Sequence, residues 1–213
     1  MRINLVLRLL FILLVSFATF ASAQTKPENN QLGLLLGAEF IGDHSTATSP
    51  SVVVNFGRSE ALQLNFAHRI RGENTQLWLE SPSVAGPSHN VKSTNTTTPV
   101  SLATFYTTPS FRVNFNAQRR FSPWASFGGG YALYEGSELL RNGSNNLSRF
   151  VNTAALQFGG GVDVRTKIKV LKPIGLRAEV RDFYSFDTPR FNNAISEDRQ
   201  HNIVVSGGFI LRF

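Results

Sequence analysis

The sequence predicts an all-β fold, a single eight-stranded antiparallel up-and-down transmembrane β-barrel. Three observations carry this. In the last stretch, Gln200–Phe213, the residues Ile203, Val205, Gly207, Phe209, Leu211 and Phe213 alternate with Val204, Ser206, Gly208, Ile210 and Arg212. One face is almost wholly apolar and the other mixed, the period of two of a strand between unlike environments. Similar alternation recurs in about eight segments, and the connections between them run long, short, long, short, long, short, long. That regularity puts both ends of the barrel segment on the side of the short turns, as in barrels whose strands are apolar toward lipid and polar toward the lumen.

The first 24 residues stand outside this pattern. Arg2 and Arg8 precede a run from Leu9 to Phe17 that is apolar but for Ser16, and Ala21, Ser22 and Ala23 follow. A charged region, an apolar core and a small-residue site in that order predict a secretory signal, residues 1–23, cut after Ala23. The apolar run is short for a membrane span of about 20 residues. Residues 24–30 are then a short polar tail, and residues 31–213 form the barrel domain.

Removal of the signal leaves 19 of the 21 basic side chains against 14 acidic ones. The basic residues form no run or helical stripe, and an exported protein meets no genome, so no nucleic-acid partner is expected. The absence of cysteine excludes disulfides, thiolate metal sites and a lipid-modified cysteine.

The first strand is predicted over Gln31–Ile41, with Leu32, Leu34, Leu36, Ala38 and Phe40 outward and Gly33, Gly37 and Glu39 inward. Asp43–Pro50 is turn chemistry. Ser51–Gly57 and Ala61–Ile70 read as the second and third strands, joined by a hairpin over Gly57–Glu60. Arg71–Pro99, dense in Ser, Thr, Asn and Pro in its second half, reads as a long outer loop. In it Trp78, with Leu77 and Leu79, extends the third strand. The fourth strand, Leu102–Phe115, points Ala103, Phe105, Phe111, Val113 and Phe115 outward and Thr104, Tyr106, Thr108, Ser110, Arg112 and Asn114 inward, with Pro109 forfeiting one ladder bond.

After a turn at Asn116–Ser122, the fifth strand, Pro123–Glu135, shows Ala125, Phe127, Tyr131 and Leu133 outward and Gly128 and Gly130 inward. No helix follows Gly128, Gly129 and Gly130, so they form no nucleotide loop. Gly136–Ser148 is a polar loop. The sixth strand, Phe150–Lys167, sets Ala154, Leu156, Phe158, Val162 and Val164 against Thr153, Gln157, Asp163 and Arg165. Ile168–Pro173 is a basic turn. The seventh strand, Ile174–Phe186, opposes Ile174, Leu176, Ala178 and Val180 to Arg177, Glu179 and Arg181; beyond these, Asp182 faces lipid unless it lies above the apolar band or a bulge shifts the register. Asp187–Arg199 is the last long loop. Aromatic girdles are expected from Phe56, Phe115, Phe121, Trp124 and Phe213 at the short-turn end and from Phe40, Phe150, Tyr184 and Phe186 at the other. The competing architecture is a soluble eight-stranded carrier with its apolar face inward around a ligand, which the rim aromatics and the glycine-bearing polar face oppose.

The final strand resembles the assembly signal of bacterial outer-membrane barrels, which has a polar residue, a glycine two later, and apolar residues at the third-from-last and last positions. Ser206, Gly208, Leu211 and Phe213 fall on those places. With the phrases from Ser122 to Tyr131 (SPWASFGGGY) and from Gly175 to Tyr184 (GLRAEVRDFY), the stretch Gln31–Phe213 is similar to the small outer-membrane β-barrel family of the OmpA and OmpX type. The resemblance implies residence in the outer membrane among its lipids, contact with the barrel-assembly machinery during biogenesis, a monomer, and no cofactor. OmpA itself continues into a peptidoglycan-binding domain; this sequence ends at its barrel, so that role is not expected.

An eight-stranded barrel has an interior that side chains fill. The inward charges, Glu39, Asp163 and Glu179 against Arg112, Arg165, Arg177, Arg181 and Arg212, are expected to pair because isolated buried charges are costly. A plugged, non-enzymatic barrel that displays its loops to an unknown extracellular partner is the leading expectation. A small ion or solute channel lined by the arginines is second, and a lipid-modifying enzyme third. Catalysis needs a nucleophile and base, or paired acids, near the outer rim; the residues that qualify by type are Asp43, His44 and Ser45, and Glu197, Asp198 and His201. His68 and His89 have no evident partners, and no histidine pair has metal-ligand spacing. The short turns are expected to carry Arg58, Arg119, Arg120, Lys167, Lys169 and Lys172, a basic rim facing lipid head groups or cell-wall carboxylates.

Overall fold

The structure is a computed structural model and describes residues 29–42, 44–45, 53–166, 173–187 and 199–213. The proposed signal lies outside the described residues. The strands are β1 (Asn30–Ile41), β2 (His44–Ser45), β3 (Val53–Phe56), β4 (Ser59–Arg71), β5 (Gln76–Ser93), β6 (Ser101–Thr107), β7 (Ser110–Asn114), β8 (Phe121–Gly136), β9 (Phe150–Arg165), β10 (Ile174–Ser185) and β11 (Gln200–Arg212). No helix is present among the described residues.

Eight antiparallel staves close the sheet. Around the barrel the order is β1, β4, β5, the interrupted pair β6 and β7, β8, β9, β10 and β11, and β11 pairs with β1. The seam begins at the short-turn end, where Asn30 and Phe213 exchange backbone hydrogen bonds of 2.8 and 3.0 Å. β1 therefore starts within the stretch expected to be a tail. β2 and β3 are additions at the other end, where β3 pairs with the last residues of β5.

The faces settle the architecture. Leu34, Leu36, Leu79, Phe111, Phe127, Phe158, Leu176, Val180, Val205 and Phe209 are all exposed on the outside, while Arg112, Arg177, Arg181, Glu80, Asp163 and Glu179 are buried inside. A water-soluble carrier with an apolar interior would have the opposite arrangement. A continuous apolar belt around a polar lumen is that of a transmembrane barrel.

One stretch differs from its sequence reading. Residues 71–99 are not a loop, because β5 is the third stave, paired with β4 from Leu77 to Ala85 and with β6 and β7 on its other edge. Its composition is turn-like because both prolines sit at irregularities. Pro82 lies beside the gap between β6 and β7, where its carbonyl accepts from the Thr108 amide at 3.2 Å, and Pro87 lies in the register shift between Gly86 and His89. Ser51–Gly57 is accordingly no stave; its described part is the short extension β3. The first short turn lies at residues 72–75 instead of 57–60, and the regular alternation of lengths is lost with it, because the connection 94–100 is no longer than the turn 166–173 at the opposite end.

The remaining differences are local. The fourth stave splits at Thr108–Pro109, and Gly128 and Gly130 face that break: a Cβ would lie 2.2 Å from the Pro109 oxygen at the first and 2.2 Å from the Thr107 oxygen at the second. β10 keeps one register with both neighbours throughout, so Asp182 does face outward. Trp124 leaves the expected girdle and is buried in the lumen. Phe56 lies at the long-connection end, partly buried against the apolar core.

Candidate functional site

Among the described residues the buried charged side chains converge in the lumen, which has two levels. The level nearer the short turns is ionic. Inward positions of β5, β7, β9 and β10 deliver Glu80, Arg112, Asp163, Arg177, Glu179 and Arg181, three carboxylates and three guanidiniums. Arg177 donates from Nε and Nη2 to the two oxygens of Asp163 at 2.7 and 2.8 Å. Arg181 donates to both oxygens of Glu179 at 2.6 and 3.2 Å and reaches Glu80 at 2.8 Å. Arg112 donates to the other oxygen of Glu80 at 3.0 Å. Two-pronged pairs of this kind are the strong form of the carboxylate–guanidinium contact.

Neutral groups complete the level. The Gln31 amide oxygen accepts from Arg112 at 2.7 Å and from Arg177 at 2.8 Å, joining two like charges through one acceptor. Gln63 donates to Glu179 at 2.6 Å and Asn65 to Glu80 at 3.1 Å. Trp124 stands among the cations, its ring centre 5.7, 5.0 and 5.0 Å from the guanidinium carbons of Arg112, Arg177 and Arg181; Trp78 lies 5.2 Å from Arg112. Each contact is of cation–π geometry. At the mouth below, Arg212 is 3.8 Å from Asp163 and Arg165 is half-buried. These residues help to line a cavity of about 10 Å³, the size of a single water site.

The level nearer the long connections is apolar. Ile41, Val54, Val84, Val91, Leu102, Tyr106, Tyr134, Phe183 and Val204 form one buried cluster, in which Tyr106 stacks on Phe183 with ring centres 4.6 Å apart. One carboxylate is set into it. Glu39 accepts from Thr104 at 2.6 Å and from Tyr106 at 2.8 Å, and its Oε2 lies 3.2 Å from Nε2 of His89. The His89 Nδ1–H donates to the Gly57 carbonyl at 2.8 Å. Gly86 makes room for the carboxylate, since a Cβ there would sit 2.0 Å from Oε2.

Of the residues assigned to a lumenal charge network, the structure thus brings together Arg112, Asp163, Arg177, Glu179 and Arg181. It places Arg165 and Arg212 at the mouth and Glu39 in a separate cluster. Sequence reasoning missed Glu80, Trp78 and His89, because all three lie in the stretch read as a loop. The signal was present in the alternation of Gln76, Trp78 and Glu80 with Leu77 and Leu79.

The other sequence-predicted positions are scattered. Ser206 and Gly208 face the lumen, and Leu211 is exposed on the outer face, as the alternation requires. Arg58 is a correction: it lies between β3 and β4, at the long-connection end. Arg119 and Arg120 are on the short turn after β7, and Lys167, Lys169 and Lys172 lie outside the described residues, as do Asp43, Glu197 and Asp198. His201 is on the outer face, 2.7 Å from Asp182, and His68 pairs with Asn30 at 2.8 Å. Among the described residues no group of three or more His, Asp or Glu could hold a metal ion.

No protein-family model matches the chain, and no curated protein matches it either. Solved structures do. Neisserial surface protein A aligns over 88% of this chain and 99% of its own with a TM-score of 0.54 and 11% identity. The outer membrane protein OprG from Pseudomonas aeruginosa aligns over 88% of this chain and 97% of its own, with a TM-score of 0.55 and 12% identity. At such identities the likeness is one of fold, and the fold is that of a small outer-membrane β-barrel.

Proposed function

We propose that the chain is a non-enzymatic protein of the bacterial outer membrane, a barrel closed by its own side chains that serves as a scaffold for the connections at its long-connection end. The observation that carries this reading is the two-level lumen. The ionic level is filled by paired, buried charges, with a cavity the size of one water at its mouth, and the apolar level above it is a buried cluster. The outer-membrane location is supported by the apolar belt and by the fold it shares with outer-membrane proteins.

The display role is supported by order at the far rim. Residues 94–100 and 137–149 are bonded to each other: the Arg141 amide donates to the Thr98 carbonyl at 2.9 Å, the Asn142 amide to the Thr96 carbonyl at 2.9 Å, and Pro99 bridges to Leu140. This pair of connections presents Val100, Leu139 and Leu147 to solvent.

The test is conductance across a planar bilayer after reconstitution of the purified protein, with strand content checked by circular dichroism. A folded barrel that passes no steady current is expected. Steady current through the intact protein would overturn the closed-scaffold reading and put the channel first.

A further inference from the structure

Among the described residues the connections at the two ends of the barrel carry unlike charge. At the long-connection end, Arg58, Lys92, Arg141, Arg149 and Arg199 are offset by Glu60, Glu135, Glu138 and Asp187. At the short-turn end, the turns 72–75 and 115–120 and the last residue of the strand before each carry Arg71, Arg119 and Arg120 against Glu73 alone, with all three arginines exposed.

The backbone gathers these arginines into one arc. The Ala117 amide donates to the Asn74 carbonyl at 2.8 Å, joining the two turns, and the Arg165 amide donates to the Arg120 carbonyl at 2.9 Å, joining the second turn to the end of β9. Tight reversals hold the arc against the barrel. Gly72 has a φ of 92° and Asn116 a φ of 50°, the left-handed region that glycine and asparagine tolerate. The depth of the arc is marked by aromatic residues. The Arg120 guanidinium lies 5.5 Å from the ring centre of Phe121, which is exposed on the outer face, as is Phe115. Aromatic rings of this kind girdle a barrel at the membrane surface, so the cations stand at head-group level.

We propose that this arc is a binding surface for anionic phospholipid head groups of the leaflet that the short turns face. The inference rests on the membrane reading above and goes beyond it by naming a lipid class and the residues that select it. Guanidinium groups match a phosphodiester by paired hydrogen bonds. An added negative charge on the lipid is worth about fivefold in affinity per basic residue at the surface.

The experiment is native mass spectrometry of the full protein purified from the membranes of producing cells and held in micelles with equal phosphatidylglycerol and phosphatidylcholine. The first lipid adduct is expected to be phosphatidylglycerol by about fivefold or more. That ratio should fall toward one in the triple variant Arg71→Gln, Arg119→Gln, Arg120→Gln, and stay unchanged in the control Arg58→Gln, Lys92→Gln at the opposite end. Equal binding of the two lipids by the intact protein overturns the proposal, as does a preference that survives the triple substitution. Co-sedimentation with cell-wall sacculi through the same arginines, without lipid preference, would assign the arc to wall carboxylates and overturn it too. A protein that takes up neither lipid and does not enter vesicles would instead sink the membrane reading itself.

Discussion

Glu80 is the residue on which the ionic level turns, and Glu80→Gln is the sharpest perturbation of it. The carboxylate is buried and accepts from Arg112 at 3.0 Å, Arg181 at 2.8 Å, Asn65 at 3.1 Å and Ser110 at 3.3 Å. Glutamine keeps the shape but turns one acceptor oxygen into an amino group that faces a guanidinium. It also leaves three buried cations against two buried anions. Removing one partner of a buried pair costs about 3–5 kcal/mol, because the other charge stays desolvated and unpaired. In reversible urea unfolding from lipid vesicles, such a loss moves the midpoint down by roughly 1–2 M. Arg112→Met makes the opposite imbalance, and the double variant Glu80→Gln, Arg112→Met restores neutrality. It should therefore be less destabilised than the sum of the singles, by about 1–3 kcal/mol. A Glu80→Gln midpoint within about 0.3 M of the parent, or strict additivity in the double variant, would refute the view that the lumen is held by desolvated pairs.

Two further expectations test the interior directly. The chain has two tryptophans, and both are buried in the lumen; in vesicles of brominated lipid their fluorescence should be almost unquenched, whereas strong quenching would return Trp124 to the lipid-facing girdle. Gly130→Ala would place a Cβ 2.2 Å from the Thr107 carbonyl oxygen, a clash with backbone that costs about 1–3 kcal/mol or more. By contrast Gly160→Ala, whose nearest contact would be 3.6 Å, should stay within about 0.5 kcal/mol. Equal urea midpoints for the two alanine variants would contradict the close approach of β8 to the break in the fourth stave.

Seven of the eight staves were legible because each alternates against lipid on one side and a polar lumen on the other. On β7 and β10, for example, Arg112, Arg177 and Arg181 fall in phase with glycine, serine and asparagine. β5 was not legible. Beyond Leu79 its outward positions are Ser81, Ser83 and Ala85, too polar or small to mark a lipid face, and its prolines suit a loop. The loss of β5 removed Glu80, and with it the anion that balances the level. Composition decided against a strand where pairing partners decided for one, since β4 on one edge and β6 and β7 on the other fix β5 whatever its apolar content. Trp124 was misplaced for a different reason. Tryptophan near a strand end suggests an interfacial girdle, and only its parity with Ser122 and Ser126, both inward, reveals that it faces the cations.

The two levels of the lumen also constrain how an ion path could ever form. Opening the ionic level alone would separate two-pronged pairs whose partners remain buried, and the apolar level would still block passage. That upper seal is not made by the barrel wall only. Val54 is fully buried in it and Phe56 packs against it, and both belong to β3, the extension between β1 and β4. The His89 bond to the Gly57 carbonyl and the 2.8 Å bond from the Gly57 amide to the Asn90 carbonyl fasten that extension to β5. The wall staves are paired with neighbours along both edges, interrupted only locally as at the break in the fourth stave, while β3 is held along one edge by three residue pairs and along the other by the two-residue strand β2. Among the described residues the upper seal is therefore held by the fewest residue pairs at β3.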